Sequence, residues 1–158
     1  MKLDWMLLAE GFGQDAKGAI TAIGLNQSIL ISASLPATTK RAVLIHLVDE
    51  EGSLRPGGKL HFSFAVHSPT GRVLLAQSGQ LTVGEKVWAD LPASVDIPAE
   101  FTFTAYEYGV HRIAAQIQAD DIDTLECSVP LYVHEPIGVR ATASTDRPES
   151  VDDATIGH

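Results

Sequence analysis

Three aspartates fall within four positions of QADDIDTLE, residues 118–126, and no other stretch comes closer to a chemical signature. Asp120, Asp121 and Asp123 offer hard carboxylate oxygens, the ligands that calcium takes. If successive strands alternate in direction, their loop emerges at the same end as Asp49, Glu50 and Glu51 and as Glu85 and Asp90. Carboxylates from separate loops meet around a cation at a sandwich tip in that way. The favoured reading is plainer: aspartate bonds its own backbone in turns, and acidic loop tips blunt strand edges against other chains. No Asp-x-Asp-x-Asp-Gly loop supports calcium. Asp49, Glu51, Asp120, Asp121 and Asp123 therefore form a candidate metal set that ranks behind a structural role.

Other candidates fail on spacing. In GFGQDAKGAI, residues 11–20, a phosphate loop needs Lys followed by Ser or Thr after its last glycine, but Ala19 and Ile20 stand there. A dinucleotide loop needs a third glycine where Ala16 sits, and a helix afterwards. Cys127 alternates with Leu125, Val129 and Leu131, which points it inward as a small core residue rather than an activated thiolate. No serine occupies a Gly-x-Ser-x-Gly elbow, and His134-Glu135 is followed by Pro136 instead of a helix with a second histidine. His61 and His67 share one strand face about 20 Å apart at strand rise, too far to chelate one ion; either is expected to reach His46 across strands.

The elements that would position these residues are strands. Turn signals recur every ten or so residues, and no segment keeps a helical stripe. Strands are expected over residues 3–9, 19–33 with a break or bulge at Gly24, 39–49, 60–67, 73–81, 101–106, 109–119 and 125–133. Leu60, Phe62, Phe64 and Val66 alternate with His61, Ser63, Ala65 and His67, giving one core face and one wet face. Ser68-Pro69-Thr70-Gly71 carries Pro second and Gly fourth, the signature of a tight turn joining two of these strands. Residues 84–98, with Pro92 and Pro98, read as a long connection. A five-residue loop over 120–124 would pair Ala119 with Leu125, Ile117 with Cys127, Ala115 with Val129 and Ile113 with Leu131, keeping both apolar rows on one face. The pattern predicts an all-β domain over residues 1–134, a single, mainly antiparallel β-sandwich of about eight strands, immunoglobulin-like or C2-like. Residues 135–158 hold few large apolar side chains and read as a disordered acidic tail.

Three stretches are similar to a family of short conserved hypothetical bacterial proteins, mostly actinobacterial. KLDWMLLAEGFGQDAKGAITAIGL resembles the family's opening, with an early Asp-Trp and a Gly-ended hairpin; LIHLVDEEG resembles its Leu-Val-Asp-x-x-Gly turn; GVHRIAAQIQADDIDTLECSVPLYV resembles its last hairpin. The resemblance implies a compact β-sandwich of unknown function and carries over no active site. The chain departs from it in having Asp-Asp-Ile-Asp where the family has a plain Asp-Gly, and in the tail.

Composition narrows the function classes. Eleven basic residues against twenty acidic ones give a formal charge of -9, which repels a phosphate backbone, so nucleic acid is not an expected partner. No span reaches membrane-crossing length, and the apolar run from Trp5 to Ala9 is too short for a signal-peptide core. One cysteine gives no disulfide framework and fits a cytoplasmic home. No cofactor is expected. With no nucleophile, base and orienter trio in view, the expected function is a non-enzymatic protein-interaction or scaffold module, with Trp88 as the candidate partner-binding side chain. A self-assembling homo-oligomer is the alternative, and a calcium-binding sandwich or an enzyme follows behind it.

Overall fold

The structure is a computed structural model that describes residues 1–16, 19–85, 90–119 and 123–137. The described residues contain no helix and form nine strands: β1 (Lys2–Gln14), β2 (Ile20–Leu25), β3 (Ile29–Ile31), β4 (Ala37–Asp49), β5 (Lys59–His67), β6 (Val73–Thr82), β7 (Ala93–Ala105), β8 (Gly109–Ala119) and β9 (Leu125–His134). They make a four-stranded sheet in the order β2-β1-β4-β7 and a five-stranded sheet in the order β3-β9-β8-β5-β6. Every pairing is antiparallel except β3 with β9, which is parallel.

Two-residue alternation builds one core shared by the two sheets. Val43, Ile45 and Leu47 of β4 and Ile97, Phe101 and Phe103 of β7 meet Leu60, Phe64 and Val66 of β5 and Ile113, Ala115 and Ile117 of β8 in a single buried cluster. Burying a side chain of this size is worth about 1.5–3 kcal/mol, and Ile45, Leu47, Leu60, Ile97, Ile113 and Ile117 have no exposed surface. Leu54 and Val83, from the connections after β4 and β6, close one end of the cluster. The Ser68–Gly71 turn forms as its residues predict. Gly71 N–H donates to the Ser68 carbonyl at 2.9 Å, and Gly71 takes φ +85°, a conformation glycine adopts freely.

Four expectations need correction. The run over residues 19–33 is two strands in different sheets. Gly24 and Asn26 take φ +63° and +62° at the break, and the chain then crosses to the other sheet, giving nine strands instead of eight. Arg41, only 8% exposed, secures the crossing: its guanidinium donates to the carbonyls of Gln27 and Ile29, each at 3.3 Å, and to Thr39 Oγ1 at 2.6 Å. Residues 93–98 are not part of a connection but the first half of β7, which pairs with β4 from Ala37↔Ala105 to Asp49↔Ala93. Pro98 is tolerated because β7 is an edge strand, where a missing N–H costs no ladder bond. β1 likewise runs on to Gln14.

The last hairpin pairs Ile117 with Leu125, Ala115 with Cys127, Ile113 with Val129 and His111 with Leu131, two residues away from the expected register. Gln118 and Ala119 pair only with β5, so the acidic segment spans a wider arch. A slip of two keeps both apolar rows inward; a slip of one would expose them.

Candidate functional site

Strand direction brings the expected acidic loops to one end. β4 finishes there at Asp49 opposite Ala93, β1 starts there with Lys2 opposite Val48, and β8 finishes there with Ala119 opposite Leu60. The side chains at that end have separate tasks. Asp49 is 2% exposed; its Oδ2 accepts the Leu54 N–H at 2.6 Å, and its Oδ1 lies 3.3 Å from the Met1 amino nitrogen. Burial alone would raise the Asp49 pKa. The Leu54 N–H, the Met1 amino group and the Ser53 hydroxyl outweigh it and hold the carboxyl below its ordinary value. Glu50 pairs with Lys2 Nζ at 2.6 Å, and the exposed Glu51 carboxylate stands 3.9 Å from the Met1 nitrogen. Asp123 is exposed, while Asp120, Asp121 and Trp88 lie outside the described residues. Among the described residues no group of three or more His, Cys, Asp or Glu side chains is arranged to hold a metal ion.

The histidines fall into different sheets. His61 and His67 lie on the outer face of β5, whereas His46 lies in the other sheet between β1 and β7, so the expected cross-strand meeting of His46 with either is corrected. His46 instead stacks on Trp5, with ring centroids 5.0 Å apart and planes 13° from parallel, and its Nδ1 is 2.7 Å from Asp96 Oδ1. A carboxylate on Nδ1 fixes the orientation of the imidazole. Sequence reasoning missed this Trp5–His46–Asp96 trio. The alternating apolar residues of β4 were the available signal, but which strands flank it is not written locally.

Two titratable groups point inward. Cys127 sits opposite Ala115 in the inner row, and burial pushes its thiol pKa up, away from thiolate chemistry. His111 is fully buried near Phe103, with ring centroids 6.2 Å apart, and no well-formed hydrogen bond reaches either ring nitrogen. Burial lowers its pKa, against the smaller opposing pulls of the Gly109 backbone and the Glu107 charge.

The outer faces of the two sheets differ. Along β5 and β8 the outer row is small or polar: Ser63, Ala65, Ala114 and Gln116 line a trough of about 650 Å³ that reaches Arg112 and Ser128. Along β4 the outer row holds an apolar pair, Ala42 and Leu44, between Lys40 and His46. Ala42 and Leu44 are 1% and 7% exposed yet belong to no part of the inter-sheet cluster. Their cover is lateral: Leu7 and Pro98 flank Leu44, and Ala9 and Glu100 flank Ala42. Leu25, beside Ala9, and Ile23, beside Gly11, continue this face to its edge at 52% and 56% exposure. An antiparallel sheet with one wet face ordinarily shows water polar side chains, so the exposed pair Ile23 and Leu25 marks the part of this face suited to contact. Asp96 stands at its β7 rim beside His46, while Glu100, paired with Lys40, reaches across β4 so that its Oε1 meets the Phe12 N–H of β1 at 3.5 Å. The chain matches no protein-family model, and no curated protein matches it.

Proposed function

We propose that this chain is a non-enzymatic protein-interaction module, a cytoplasmic β-sandwich of immunoglobulin-like or C2-like layout related to the short bacterial proteins its sequence resembles. The outer face of the β2-β1-β4-β7 sheet carries the reading. Ile23 and Leu25 stand exposed at the β2 edge of that face, next to the buried outer residues Ala9, Ala42 and Leu44. Apolar contact at the centre with charge at the rim is the ordinary anatomy of a protein interface. A net charge of -9 favours a partner whose apolar patch is fringed with lysine or arginine. The raised Cys127 pKa supports a binding role over nucleophilic catalysis.

The test compares wild type with the double variant Ile23→Lys, Leu25→Lys as bait in native lysate, followed by titration of the purified partner at two salt concentrations. A partner held by wild type, lost by the folded variant and bound more weakly at high salt supports the reading. Identical captures by the two baits, or no saturable binding, overturn it.

A further inference from the structure

The four strand edges of this molecule are not equally protected. The β7 edge has Asp96, Pro98 and Glu100 along its length, a charged and donor-deficient border that discourages added strands. β3 has three residues. β2 has six and ends in the positive-φ pair Gly24 and Asn26, which turns the chain away. The remaining edge, β6, runs ten residues as VLLAQSGQLT with no proline and no charged side chain. In a chain of net charge -9 this is an unguarded template for a further strand.

Its hydrogen-bonding geometry follows from the neighbouring ladder. Val83 donates its N–H to the Gly58 carbonyl at 2.9 Å and accepts the Gly57 N–H at 2.8 Å, so both its backbone groups face the β5 side. Antiparallel alternation then turns the groups of Leu81, Gly79, Gln77 and Leu75 toward β5. Those of Thr82, Gln80, Ser78 and Ala76 face outward, where no other described strand pairs with them. The inner faces also have an order: Leu75 and Leu81 stand opposite the core residues Val66 and Leu60 and pack on the core.

We infer that two copies of this chain join through β6, antiparallel about a two-fold axis at Ser78, to make one continuous ten-stranded sheet. On this axis Ser78 faces Ser78 of the other copy, Ala76 faces Gln80 and Gln80 faces Ala76. These three pairs supply about six backbone hydrogen bonds. Leu75 of each copy meets Leu81 of the other on the core side, with Gln77 facing Gly79 between them, so two apolar contacts flank the axis. A two-fold axis requires a strand that complements itself, and this register matches inner row with inner row and outer row with outer row. No side chain of β6 brings a charge toward its counterpart, which is what a chain this acidic needs in order to meet itself. Among the described residues β6 is also the one long uncharged strand at a sheet edge. The inference stands apart from the partner-binding reading, whose surface ends at β2 on the other sheet, so each survives failure of the other.

Light scattering on the purified full chain over a concentration series should give a mass about twice the 16.9 kDa of one chain. Ser78→Pro removes an N–H that faces outward, so circular dichroism and the thermal midpoint of the diluted monomer should stay while the dimer is lost. Ser78→Cys places two thiols across the axis at a Cα separation of about 5.5 Å, within disulfide range, and mild oxidation should give a covalent dimer. Gln80→Cys, opposite Ala76, should cross-link far less. A monomer at all concentrations, a dimer untouched in folded Ser78→Pro, or equal cross-linking at positions 78 and 80 overturns the inference. Should Ser78→Pro fail to fold, the paired cysteine variants still decide it.

Discussion

The Asp49 carboxylate accepts the Leu54 N–H across the first turn of the connection after β4, at 2.6 Å and out of contact with water. The bond makes Asp49 a clamp, because Leu54 then closes the end of the core. Asp49→Ala leaves a buried N–H without an acceptor and is expected to cost about 2 kcal/mol, read from urea denaturation. Asp49→Asn keeps an acceptor and should cost less. The pH dependence has a fixed sign. Asp49 titrates below its ordinary 3.8 when folded, so its contribution is present above that pH and is lost as the pH falls through the lower folded value. Asn at this position should therefore flatten the wild-type loss of stability below about pH 4. An unchanged acid limb in Asp49→Asn would count against the clamp.

His111 predicts a second, milder pH step. The folded protein holds the ring neutral with a pKa below the ordinary 6.5, so the unfolded chain takes up its proton first. Stability is then complete above about pH 6.5 and declines as the pH falls from there through the folded value. His111→Leu removes both the step and two buried nitrogens that no well-formed hydrogen bond reaches. It should raise stability by about 1 kcal/mol at pH 8 and by more at pH 5, in thermal or urea unfolding. A loss of stability at both pH values would show that the ring has a partner in solution.

Gly79 is held by shape. A Cβ built on it would stand 2.5 Å from Cζ of Phe62, whose ring lies across β6. Gly79→Ala should cost about 1–3 kcal/mol by overpacking. Phe62→Leu frees the space, so the double variant should be more stable than the sum of the two single effects predicts, with a coupling of at least about 0.5 kcal/mol in a double-mutant cycle. Additive effects would mean that the ring moves aside freely.

How much of this was legible depends on whether a feature is written in neighbouring residues or in distant ones. The alternation of β5 and the Ser68–Gly71 turn are local, and both stand where the chain announces them. Pro98 misled because a proline in a strand is forbidden only when both sides are paired, and edge position is a property of the whole sheet. His46 and Asp96 lie 50 residues apart, and only the β4–β7 register brings them to 2.7 Å. His111 continues the inward row of Ile113, Ala115 and Ile117, so its burial was implied by period two, but its lack of well-formed hydrogen bonds was not. The run AVLIHLV of β4 was the clearest missed signal. A nearly continuous apolar stretch reads as buried on both faces, and here Ala42 and Leu44 are covered on the outer face by their flanking strands while His46 turns to Trp5 and Asp96.

The β8–β9 register is the part of the core most open to a direct test, because Cys127 is built into it. Ala115 stands opposite Cys127 on the inner face, where cross-strand Cα atoms are about 4.5–5.5 Å apart, within reach of a disulfide. Ala115→Cys should therefore oxidise to an intramolecular bridge, seen as a loss of two free thiols with no gain in mass beyond a single chain under denaturing conditions. Ile117→Cys, which would face Cys127 only in the register expected from a five-residue loop, stands opposite Leu125 and should stay reduced under the same conditions. The bond would tie two adjacent strands, so it should also slow exchange of the amides around Ala115. Bridging at position 117 but not at 115 would move the hairpin back by two residues and shorten the acidic arch to five.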